Sequence, residues 1–210
     1  MVRLRIAEGW CEDSLARLTA YATRYGKTLR VYDQVGPGDP LRLNAEEIAR
    51  TRVIASRISR AEERWLLRRG ETAPWADVPL AADLASADPD DPTSAYPPAL
   101  ELYLHFYQER PRGFSVAKLS KTLHIKRPNL YPILDSRLMR LYRRPARQHG
   151  QARPVLGRYQ YWPAIRADLR YNRETGALAE LRAMLTAAPN PVVREMAQLS
   201  DLRLMDICAW

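Results

Sequence analysis

Residues 111–158 read PRGFSVAKLSKTLHIKRPNLYPILDSRLMRLYRRPARQHGQARPVLGR, and the interpretation of the chain turns on them. Between Arg110 and Gln160 there are 13 Lys/Arg and a single acid, Asp135, so this window is formally +12. The whole chain is +9, which leaves everything outside the window at −3. Positive charge is therefore one block on a mildly acidic protein, a distribution that points to a polyanionic partner. The apolar residues of the block keep helical spacing: Val116, Leu119 and Leu123, then Leu134, Leu138 and Leu141. Lys118 and Lys121, then Arg137, Arg140 and Arg144, fall elsewhere on the same helices. Apolar seams with basic backs predict folded helices that offer phosphate contacts.

Outside the block, composition sets the limits. A chain of 210 residues can bury one sizeable core, or a core with a small lobe. Its 16 prolines predict short helices parted by ordered loops. Cys11 and Cys208 are too few for a disulfide framework and lack metal-site spacing, which fits a reducing cytoplasm. No apolar run has the length of a membrane span and no signal-peptide segment opens the chain, so no membrane partner is expected.

In chain order, Val2, Leu4 and Ile6 alternate as one strand does. Asp13-Ser14 caps a helix expected to stop with Gly26 in the left-handed conformation. Residues 28–35 (TLRVYDQV) are strand-like, and 36–40 (GPGDP) is a turn. Asn44 with Glu47 three residues on is a capping-box signal. Further helices are expected over 60–69, 98–110, 162–173 and 177–187, then after the Pro-Asn-Pro turn at 189–191, with Ser200-Asp201 capping a last one. The predicted class is mainly α, a single helical domain with at most one or two short strands near the N-terminus. Within it lie an N-terminal helical lobe (1–70), a Pro/Asp-rich loop (71–97) and a helical core (98–210).

Candidate contacts to nucleic acid are Arg112, Gly113, Ser115, Lys118, Lys121, Lys126, Arg127, Arg137, Arg140, Arg143, Arg144 and Arg147. The turn 111–115 between two helices presents the backbone amides at the second helix's start, where a phosphate can bind. Pro128 and Pro132 keep 126–134 out of a helix interior and deliver Asp135 to the next helix start. Asp135 is either that helix's N-cap or an ionised carboxylate able to stabilise a sugar cation in a DNA cleft. His105, His124 and His149 lack metal spacing, and no phosphate loop, GxGxxG or Ser-His-Asp order occurs. Neither a metal nor a cofactor is expected.

Three segments carry a resemblance. KLSKTLHIKRPNLYPILDS (118–136) resembles the defining segment of an uncharacterised bacterial domain-of-unknown-function family, DUF6308. LRLMDICAW (202–210) resembles that family's closing helix, and residues 21–59 its opening. The family's middle segment is in turn similar to helix–hairpin–helix DNA glycosylases. That similarity implies a helical glycosylase-like fold, with Gly113 and Ser115 on the hairpin glycines and Asp135 on the catalytic aspartate. The Schiff-base lysine of the bifunctional enzymes would fall at Ala117, which implies no lysine-based strand cleavage.

The expected function is binding of DNA, most simply double-stranded, through the 110–158 face. In an enzymatic version the protein is a degenerate or monofunctional glycosylase using Asp135. A winged-helix transcription regulator is the alternative, with its recognition helix over 128–143 and its wing over 147–161; Pro132 is the objection. A third reading is a non-enzymatic module whose basic face meets an acidic protein.

Overall fold

The computed structural model describes residues 1–153 and 160–210. The chain divides into two compact units, one of Met1–Leu29 with Ser136–Trp210, the other of Arg30–Asp135. This division differs from the expected 1–70, 71–97 and 98–210, because both ends of the chain build one unit, a non-local pairing that a segment-by-segment reading does not see.

The first unit opens on a hairpin of β1 (Leu4–Ile6) and β2 (Gly9–Cys11), antiparallel, with Ile6 opposite Gly9. The two-residue turn Ala7-Glu8 has positive φ at both positions, 52° and 68°, where Asn-Gly is the usual solution. Val2, Leu4 and Ile6 are buried, as their alternation predicts. Helix α1 (Ser14–Thr28) is capped by Asp13, whose carboxylate accepts from the Ala16 amide at 3.0 Å. Gly26 does not end it; the helix kinks at Tyr25 and runs on to Thr28. The unit resumes with α6 (Ser136–Leu141), α7 (Arg143–Ala152), α8 (Tyr161–Glu174), α9 (Ala177–Thr186), α10 (Pro191–Glu195) and α11 (Asp201–Cys208). Helix α1 packs on α9, α10 and α11, while α8 packs on α7, α9 and β1. Two residues one turn apart on α8 hold the hairpin. Asn172 exchanges two hydrogen bonds with the Arg5 backbone, at 2.8 and 2.9 Å. Asp168, buried, accepts from the Ala7 amide at 2.6 Å, the Tyr142 hydroxyl at 2.8 Å and the Arg5 guanidinium at 2.9 Å.

The second unit contains α2 (Ala45–Arg50), α3 (Arg60–Glu71), α4 (Tyr96–Tyr107) and α5 (Val116–Lys126). Both α2 and α3 start with complete capping boxes, Asn44 with Glu47 and Ser59 with Glu62. Residues 29–33, expected to be strand-like, form a π-helical turn. The turn buries Tyr32 beside Ile125 and Ile133, and the Tyr32 hydroxyl donates to the Lys121 carbonyl at 2.9 Å. The segment 71–97 is irregular as expected, yet it is packed rather than slack: Trp75, Val78, Leu84 and Ala87 are buried. Its aspartates turn the chain locally, Asp83, Asp88 and Asp91 each accepting from the amide two residues on.

Among the described residues, no helix is long and apolar enough to cross a membrane.

Candidate nucleic-acid interface

The basic block separates into two populations. In the second unit its cations are mostly consumed by the fold. Lys126 is fully buried at the end of α5, and its ammonium donates to Glu47 Oε1 at 2.6 Å and to the Pro37 and Asp39 carbonyls at 2.9 and 2.6 Å. Burial pushes its pKa down, and the Glu47 carboxylate opposes that shift. Arg127, equally buried, donates to the Val78 carbonyl at 2.8 Å, the Trp75 carbonyl at 2.9 Å and the Pro40 carbonyl at 3.2 Å. Lys121 reaches the Ile54 carbonyl at 2.6 Å, and Lys118 pairs with Glu62 at 2.6 Å. These four cations therefore do not present themselves as phosphate contacts. A buried ammonium must have its hydrogen bonds supplied internally, and here the turn 36–40 and the start of α2 supply them.

The turn before α5 is a tight one. The Phe114 amide donates to the Pro111 carbonyl at 3.0 Å, and Gly113 has φ +88°, the geometry of a type II turn with glycine in its third position. Ser115 is the α5 N-cap, accepting from the Lys118 amide at 3.4 Å. Its role is that of a cap, and Arg112 and Gly113 are left exposed beside it. Arg110 folds back over the Tyr107 ring at 3.6 Å and donates to the Tyr107 carbonyl. Asp135 ends the extended stretch after Tyr131, half-buried, its amide donating to the Ile133 carbonyl at 3.1 Å.

In the first unit the cations face outward. Helices α6 and α7 are nearly one: Tyr142 lies between them, but its amide donates to the Leu138 carbonyl and its carbonyl accepts from the Ala146 amide, both at 2.9 Å. At about 100° per residue, Arg137, Arg140, Arg143, Arg144 and Arg147 share an arc of about 120°. Leu138, Tyr142, Pro145, Ala146 and Gly150 fall on the other side, and these are buried while all five arginines are exposed. Over ten residues the arginines extend about 15 Å along the axis. Arg137 also lies over the Trp210 ring at 5.8 Å, and Arg144 lies 3.9 Å from Glu8 with its side chain 84% exposed. Residues 136–152 include no Asp or Glu. Of the two remaining cations of the block, Arg153 is half-buried just past α7 and lies 3.3 Å from His149 Nδ1, and Arg158 lies outside the described residues.

The winged-helix reading needs a helix over 128–143, and 128–135 is not helical. Pro128 and Pro132 explain this, one removing an amide donor at the helix exit and the other four residues later. Of the wing positions, 147–152 are helical and 154–159 lie outside the described residues. Among the described residues no group of His, Cys, Asp and Glu could hold a metal ion.

The model of DUF6308, a family of unknown function, matches residues 14–210. The chain belongs to that family. No curated protein and no solved structure matches this DUF6308 chain.

Sequence reasoning missed what separates the two populations of cations. The missing signal for Lys126 is Glu47, 79 positions away. That for Lys118 is Glu62, which the Ser59 capping box places on the first turn of α3.

Proposed function

We propose that this DUF6308 protein binds nucleic acid, in the first instance duplex DNA, through the arginine face of α6 and α7. The observation that carries the reading is the sorting of side chains on that helical segment: five exposed arginines on one side, the buried residues on the other, and no carboxylate in between. Such a stripe can neutralise successive phosphates of one strand, and arginine forks match phosphate oxygens geometrically. It also shrinks the expected interface, since Lys118, Lys121, Lys126 and Arg127 contribute to folding. The turn residues Arg112, Gly113 and Ser115 belong to the other unit and are not needed for this face.

The test is a salt titration of binding to a short duplex. Five phosphate contacts give a slope of log K against log salt of about −4.5. Replacing Arg140, Arg143 and Arg147 with Gln should weaken binding and flatten the slope by about three. A control that removes the same charge elsewhere, Gln at the exposed Arg57, Arg64 and Arg68, should leave the slope in place. Equal losses in both triple variants, or no binding at low salt, would reject the α6–α7 face.

A further inference from the structure

Cys11 closes β2 and Cys208 closes α11, so the only two cysteines of the chain come from its opposite ends. Both thiols are free, hydrogen-bonded to each other, and line one cavity of about 620 Å³ in the first unit. Trp10, Asp13, Arg17 and Leu141 form part of its walls. Cys11 is half-exposed at this cavity, whereas Cys208 is 4% exposed and its thiol also lies 3.9 Å from the Ser14 carbonyl. Cys11 is thus the accessible thiol of this recess and Cys208 the buried one.

The electrostatics divide the two roles. The hydrogen bond from Cys208 lowers the Cys11 thiol to about 6; burial opposes this, Ser14 and Arg17 reinforce it, and Asp13 works against it. The same bond, together with burial, pushes Cys208 up. Glu12 is the other acid of the cavity wall. At neutral pH the pair therefore holds a thiolate at Cys11 and a thiol at Cys208, the arrangement of an attacking sulfur with a resolving partner.

We propose that Cys11 and Cys208 are a peroxide-reactive dithiol that closes into a disulfide at this cavity. The oxidant is a small hydroperoxide. The Cys11 thiolate attacks its terminal oxygen, the O–O bond breaks, and Cys11 becomes a sulfenic acid as hydroxide or alkoxide leaves. The Cys208 sulfur then attacks the Cys11 sulfur. The S–O bond breaks, and the hydroxyl departs with the Cys208 proton as water. Two thiols lose two electrons between them, and with hydrogen peroxide the products are the disulfide and two waters. The bond would tie the β1–β2 hairpin to the last helix of the same unit.

The experiment uses the whole reduced chain, hydrogen peroxide at neutral pH, iodoacetamide quenching and intact mass. The expected product has lost two hydrogens, has lost both alkylation sites together, and recovers them with dithiothreitol. Alkylation of Cys11 in the untreated protein should accelerate with pH around a midpoint of about 6. Cys208→Ser should stop at a Cys11 sulfenic acid that dimedone captures, and Cys11→Ser should leave Cys208 unoxidised. Three results on the unmutated chain would overturn the proposal: Cys11 carried to sulfinic acid with Cys208 still a thiol, a disulfide linking two chains, or Cys11 alkylated no faster than free cysteine.

Discussion

Replacing Lys126 with Met tests the claim that four cations of the basic block hold the second unit together. The substitution keeps the aliphatic stem and removes the ammonium. Glu47, its side chain 4% exposed, is left as a buried carboxylate without a counterion, and the Pro37 and Asp39 carbonyls each lose a donor. Breaking a buried ion pair from one side costs about 3–5 kcal/mol. For a chain of this length each kcal/mol moves the melting temperature by about 2–4 °C, so the expected drop is about 6–20 °C. Glu47→Gln alone is milder, because an amide oxygen can still accept from the Asn44 amide, now held at 3.0 Å. The double variant removes both charges and should recover at least about 1 kcal/mol relative to the sum of the singles. Urea and thermal unfolding followed by circular dichroism report all three proteins. A Lys126→Met cost under about 1 kcal/mol, or strict additivity in the double variant, would refute the buried-pair account.

The remaining predictions concern single positions. Gly38 has φ +63°, and a Cβ there would meet Glu47 Oε1 at 2.5 Å, an atom Lys126 holds in place; Gly38→Ala should cost about 2 kcal/mol or more, read from the urea midpoint. Glu8→Gly, in the left-handed turn of the hairpin, should be neutral or stabilising by up to about 1 kcal/mol, whereas glycine at an ordinary surface site destabilises. The Glu62 carboxyl lies below its ordinary value of 4.5: burial pushes it up, but Lys118 and the Ser59 amide and hydroxyl outweigh burial. A depressed carboxyl stabilises the fold above its unfolded value and loses that contribution as pH falls through the folded one. Stability should therefore decline below about pH 4.5, and Lys118→Met should flatten that decline, as unfolding midpoints across acid pH will show.

Local chemistry was readable from the sequence. Asn44 and Glu47 announced α2, Asp13 announced α1, and the alternation of Val2, Leu4 and Ile6 announced β1. The residues of 28–35 misled, because their β-branched and aromatic side chains suit a strand while Tyr32 finds its partners, Lys121 and Ile125, far along the chain. The hairpin turn was equally hidden, since Ala7 and Glu8 carry no turn signature and the Ala7 amide is held by Asp168, far along the chain. In the candidate site, Lys126 and Arg140 count identically toward formal charge. Only the positions of Glu47 and of the carbonyls around it make one a structural pin and the other a surface cation. The same limit hid the cysteines: nothing near Cys11 in sequence foretells Cys208.

The nesting of residues 30–135 between the two stretches of the first unit sets an order of maturation during synthesis. Met1–Leu29 are made before residues 30–135, yet Leu4 and Leu18 acquire their shelter only after translation has passed Ser136 and delivered α8 and α11. The inserted stretch has all of its own residues earlier, once Asp135 has been added. A nascent polypeptide paused at that point still exposes Leu4 and Leu18, the kind of apolar surface that makes an incomplete chain prone to aggregate.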